Sequence, residues 1–254
     1  MKVCTSVHAI GRRKLKTLGW LYLGMLLFLL VCSLLVGLWS SMSKEAVRLS
    51  VQNMDGVFFL YLFCTVAFGF REDFHVLLQN SVAPRTRGVH LLSAGALTAV
   101  VAFAAALSFH FVSQGMSHFL PLDFLDVYNA QPTGTVDFVG LAAAEFSVAL
   151  QFVPLALLFG IINYRMGGGW KAAIFWGCLY LAFGMFVAGI GFIGGFTPEA
   201  LRWLADTPFV KALLQIFTWF HQSAWHTALF HLIGVVLLGC IAALCTNRLQ
   251  MRVK

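Results

Sequence analysis

Six runs of about twenty apolar residues, parted by short polar segments, decide what this chain can fold into. They are Leu18–Ser40, Val51–Phe70, Val89–Val112, Phe138–Ile162, Ala172–Phe196 and Ala224–Cys245. A helix rises about 1.5 Å per residue, so each run can cross roughly 30 Å of hydrocarbon. In that layer every backbone N–H and C=O must be satisfied within the segment, and a helix does this. The expected fold is therefore all-α: a polytopic membrane protein with six transmembrane helices in one domain, 1–254, and no soluble domain. Composition agrees. Of 254 residues 60% are hydrophobic and 11% charged, against about 25% charged in a soluble domain.

The net charge of +7 does not point to nucleic acid, because the basic residues sit in short pieces between apolar runs. Their distribution orients the chain instead. Lys2, Arg12, Arg13, Lys14, Lys16, Arg71, Arg85, Arg87, Arg165, Lys171, Arg248, Arg252 and Lys254 fall on one side of a six-span layout. Lys44, Arg48, Arg202 and Lys211 fall on the other, so the split is 13 to 4 of the 17. The richer side is expected to be cytoplasmic, with both termini there. The protein is thus expected to be integral to a membrane, a bacterial cytoplasmic membrane in the first instance.

The first run follows Arg12, Arg13, Lys14 and Lys16 and is longer than the 7–15 residues typical of a signal peptide's apolar region, so it reads as an uncleaved first span. Met1–Thr17 before it is expected to lie along the membrane surface as a basic helix. Ser113–Asp137 reads as a structured outer loop. In Thr197–Ser223, Pro198-Glu199 and Pro208 each open a short helix, expected in or on the outer leaflet before the last span.

Chemistry-bearing clusters are sparse. His221, His226 and His231 are spaced by five, about 500° of helix rotation, so neighbours in the set do not share a face. HExxH is absent, and so is a GxSG nucleophile motif. A bis-histidine haem from His110 with His226 or His231 is the alternative reading, a membrane oxidoreductase subunit; a non-transporting scaffold or assembly protein is another. The six cysteines form no CxxC and mostly lie in apolar runs, as small fillers. Gly167-Gly168-Gly169-Trp170-Lys171 lacks the spacing of a phosphate-binding loop and reads as a tight turn. Glu145, deep in the fourth run, is a substrate-path candidate, since an ionisable group within a span is costly.

The most polar interruption is Phe70–His90. Phe74, Leu77, Leu78 and Val82 recur there at helical spacing, so an amphipathic helix is expected over Glu72–Ser81, ended before Pro84. It is followed by Asn80-Ser81-Val82-Ala83-Pro84-Arg85-Thr86-Arg87.

Six spans, a basic segment before the first, this amphipathic loop and the short outer helices together resemble an ABC-2-type transporter permease subunit. That family often has an Asn-Gly-(Val/Ile)-Ser-Arg run before its third span. Here Asn80, Val82 and Arg85 fit, Ser81 stands in place of glycine, and Pro84 is an extra residue. The resemblance implies an exporter of an amphipathic or hydrophobic substrate (peptide, drug or lipid). It implies a second permease copy or paralogue and a separate ABC ATP-binding subunit that holds the ATP; this chain would be no enzyme and carry no cofactor. Glu72–Ser81 would be the coupling helix, with Arg71, Glu72, Asp73, Arg85, Arg87 and Asn80 in polar contact with the ATPase and Phe74, Leu77 and Leu78 as buried anchors.

Overall fold

The structure is a computed structural model that describes residues 2–43, 49–52, 55–125, 138–167, 171, 176, 178 and 208–249. Its elements in chain order are α1 (Lys2–Ser43), β1 (Leu49–Gln52), α2 (Asp55–Gln79), a 3₁₀ turn (Pro84–Thr86), α3 (Arg87–Ser117), β2 (Leu122–Leu125), α4 (Phe138–Met166), α5 (Pro208–His221) and α6 (Ala224–Asn247). Four stretches are long and apolar enough to cross a membrane: Ile10–Met42, Pro84–Ser117, Phe138–Met166 and Ala224–Asn247. The molecule is accordingly an integral membrane protein. The fifth run, Ala172–Phe196, and the Pro198-Glu199 helix lie outside the described residues, except for Trp176 and Cys178. The count of six spans therefore rests on the sequence.

Two expected boundaries do not exist. Met1–Thr17 does not form a separate surface helix: from Lys2 it runs on into the first span as one helix of 42 residues. The segment holds no proline, and the isolated Gly11 and Gly19 do not break it. Likewise the amphipathic stretch at Glu72 is not a helix of its own. It is the last third of α2, which continues unbroken from Asp55 to Gln79. The cause is the apolar stripe Phe58, Leu62, Val66, Phe70, Phe74, Leu77, at intervals of four and then three, all buried. Arg71-Glu72-Asp73 makes the segment polar but contains no helix breaker. α2 falls short of the four clear spans because its apolar part, Val57–Phe70, is bounded by Asp55 and by those three charges.

Contacts between named residues set the directions. Tyr22 meets both Phe58 and Phe109, and Phe58 meets Phe109. Phe59 and Phe63 pack on Phe152, Phe63 on Phe159, and Phe70 and Phe74 on Tyr164. So α2 and α4 run the same way, antiparallel to α1 and α3. α6 joins the α2/α4 direction, since Gly88 meets Ala243 while Gly239 lies near Leu92. α3 is the central helix. Its buried face is small (Ala94, Ala99, Ala102, Ala106), which lets its neighbours approach closely. A Cβ on Gly88 would lie 2.5 Å from the Ala243 Cα, and one on Gly160 would lie 2.6 Å from the Phe70 Cβ. Glycine is required at both helix crossings.

The outward faces are the reverse of a soluble protein's. Leu23, Leu27, Leu35, Leu38 and Trp39 of α1 and Val236, Leu237 and Leu244 of α6 are exposed. Lipid is the solvent that makes such a surface stable. Pro154 sits inside α4 without ending it, as transmembrane helices tolerate. Gly167, with φ 78°, takes the left-handed conformation that closes α4.

The fold is all-helical, as expected, beside one short strand pairing. β1 and β2 pair in parallel, Leu49 opposite Leu122 through Gln52 opposite Leu125. This ties the segment after α1 to the segment after α3 at one end of the bundle. Among the described residues it is the only sheet.

Candidate functional site

The end of the bundle opposite the strands collects charge. The directions above bring Arg12 to Lys16 of α1, Arg71 of α2, Arg85, Arg87 at the start of α3, Arg165 at the end of α4 and Arg248 after α6 to this one end. The corner between α2 and α3 is its most elaborate part.

α2 ends in a defined cap. Val82 N–H donates to Leu77 C=O and Ser81 N–H to Leu78 C=O, both at 3.0 Å. This pattern needs a left-handed residue at position 81, and Ser81 has φ 53°. Among the described residues it is the one non-glycine with positive φ. Val82 folds back and is buried. Asn247 at the end of α6 then fastens the corner. Its Oδ1 accepts from Gly88 N–H at 3.0 Å, and its Nδ2 donates to Arg85 C=O at 3.0 Å.

Below the corner, α1 and α2 are joined by ions. Lys14 Nζ lies 2.6 Å from Asp73 Oδ2, with the two side chains only 5% and 4% exposed. Arg13 bridges Asp73, at 3.3 Å, and Glu72. Burial pushes the Asp73 carboxyl above the usual carboxylate range; the Lys14 ammonium and the Arg13 guanidinium pull it back, and burial wins.

The residues singled out in the sequence divide into two groups. Arg71, Glu72, Asn80 and Arg85 are exposed on the corner. Asp73, Phe74 and Leu77 face inward. Phe74 stacks on Phe70 at 5.8 Å and meets Tyr164 at 5.5 Å, with the Arg87 guanidinium 5.6 Å from its ring centre. Arg87 also donates through Nε to Val82 C=O. Leu78 and Arg87 are half-buried. The anchors expected to enter a partner thus belong to the protein's own core. The sequence showed their periodicity but not which neighbour fills it.

Glu145 is half-buried on α4, on the stripe with Ala149, Phe152 and Ala156; Phe152 points this stripe at α2. Gln151 faces the other way and hydrogen-bonds His231 of α6 through Oε1 and Nδ1. This polar tie between two spans was not singled out as a pair from the sequence, since nothing in spacing links residues eighty apart. His226 stacks on Trp219 of α5 at 4.2 Å, and its Nδ1 is buried with no hydrogen-bond partner among the described residues. His110 is buried on α3. No group of three His, Cys, Asp or Glu able to hold a metal ion occurs among the described residues.

Compared with protein families, with curated proteins and with solved structures, the chain finds no match. What the fold defines is a class: a helical integral membrane protein with a charged, tightly capped corner at one end.

Proposed function

We propose that the chain is the membrane subunit of an ATP-binding-cassette exporter of the ABC-2 type, driven by a separate ATPase that docks on the α2–α3 corner. The observation that carries this reading is the left-handed Ser81. It occupies the position where the resembling motif has glycine, and an αL cap is the physical reason a family would keep glycine there. Asn80 ends the helix before it, and Arg85 follows on the exposed turn, as the motif orders them.

Mechanics supports the same reading. α2 is one continuous rod from the strand end to the corner. It is tied to α1 by Lys14–Asp73, to α4 by its phenylalanines, and through Asn247 the corner is tied to α6. A push on Arg85 would reach all of these helices as one body. The docking surface in this reading is the exposed rim Arg71, Glu72, Asn80 and Arg85, and not the Phe74–Leu77 face. A second permease copy or paralogue would complete the transporter. The basic end would lie in the cytoplasm of a bacterium, by the 13-to-4 charge split. The cargo would be amphipathic or hydrophobic, with Glu145 a substrate-path residue.

The test is purification from native membranes in mild detergent. A vanadate-sensitive ATPase bearing an ABC signature is expected to co-elute in fixed ratio. Arg71→Glu with Arg85→Glu should abolish co-elution without lowering the thermal stability of the membrane subunit. Absence of such an ATPase, or a complex indifferent to charge reversal, refutes the reading.

A further inference from the structure

We propose that a groove between α3, α4 and α6 binds an acyl chain of an anionic phospholipid whose phosphate rests on Arg85 and Arg248. The groove holds about 370 Å³ and is lined by Val89 and Leu92 of α3, Val153 and Pro154 of α4, and Val236 and Gly239 of α6. Gly239 opens onto it: a Cβ there would meet only the Leu92 Cδ1, at 4.0 Å. The lining is almost wholly apolar, so water has no partners in it and an apolar occupant is favoured. Val89 and Val236 on its rim are 57% and 63% exposed, continuous with the lipid-facing side of α6.

Charge selects the occupant. Ala243 also lines the groove. One turn further along α6, Asn247 clasps the backbone of Arg85 and Gly88. The groove therefore ends beside Arg85 and Arg248, both exposed. Neither helix supplies a carboxylate to offset them: no Asp or Glu occurs from Phe74 to Leu122, nor from Thr207 to Lys254. Glu72 and Asp73 are engaged by Arg13 and Lys14. A phospholipid places its phosphate at the membrane boundary and its chain below it, which matches basic rim over apolar groove. A second copy seated on this face by a twofold axis would oppose the same arginines to each other, which disfavours it.

The experiment is a thermal-unfolding titration of the purified full chain in neutral detergent, with dioctanoyl phosphatidylglycerol and dioctanoyl phosphatidylcholine as probes. Phosphatidylglycerol should raise the melting temperature saturably, with half-saturation about thirtyfold lower than phosphatidylcholine, the scale that two arginines near an anionic headgroup supply. Gly239→Leu, which fills the groove, should remove the phosphatidylglycerol shift. Arg85→Gln with Arg248→Gln, a surface change that leaves the groove intact, should make the two lipids equivalent, and so serves if Gly239→Leu folds poorly. Equal shifts by both lipids in the unaltered protein would overturn the proposal. So would a Gly239→Leu protein that keeps the shift, or one that dissociates from dimer to monomer while showing no lipid effect, which would assign the groove to a second copy.

Discussion

Removing one member of the Lys14–Asp73 pair should cost far more than removing both. The ions are 2.6 Å apart and nearly sealed from solvent. Asp73→Leu leaves the Lys14 ammonium in that site with no counter-ion of its own, a change that costs about 3–5 kcal/mol in buried pairs. Lys14→Met is expected to cost less, because the Asp73 carboxyl, already raised by burial, can take up a proton and become neutral. The double variant Lys14→Met/Asp73→Leu removes both charges and should return to within about 1 kcal/mol of the unaltered protein, or exceed it. The assay is thermal unfolding in detergent. With roughly 2–4 °C per kcal/mol for a chain of this size, Asp73→Leu should lower the midpoint by on the order of 10 °C. A double variant that loses the sum of the two single losses would refute the reasoning, since the pair would then carry no coupling.

The other expectations concern the corner and the helix crossings. Ser81→Gly should stabilise by about 1 kcal/mol, since a left-handed L-residue costs roughly 1–2, and a raised unfolding midpoint checks it. Phe74→Ala should cost about 3–5 kcal/mol, while Arg85→Glu stays within about 0.5; the two measured side by side separate core from surface. Gly160→Ala should cost about 1–3 kcal/mol by overpacking α4 against α2, read as a lower midpoint with helix content unchanged. Gln151→Leu should cost on the order of 1 kcal/mol through the lost bond to His231, and His231→Leu added to it should cost little more.

Much of the layout was legible in the chain. The apolar runs located α3, α4, α6 and the end of α1 to within a few residues, because in a layer without water both length and apolarity are imposed on each segment separately. Pro208 announced α5, and Gly167 the end of α4. The 72–81 periodicity correctly marked a helical face. The error was to end one helix and begin another where the residues turned polar. Polarity changes what a helix touches, whereas breaking it takes a proline or a backbone the helix cannot adopt, and the first proline after Phe70 is Pro84.

The linear order of residues therefore determined that this is a helical membrane protein and which end of it is basic, since both follow from local composition. Only the tertiary structure decided that Phe74 and Leu77 point into the protein itself, that Asp73 is sealed against Lys14, that β1 pairs with β2, and that Gln151 meets His231. Each of those depends on a partner some sixty to ninety residues away, and helical or strand periodicity carries no information about which face of which neighbour will fill a stripe. Ser81 lies between the two: the sequence marked it as a departure from glycine, and its positive φ supplied the reason that the departure matters.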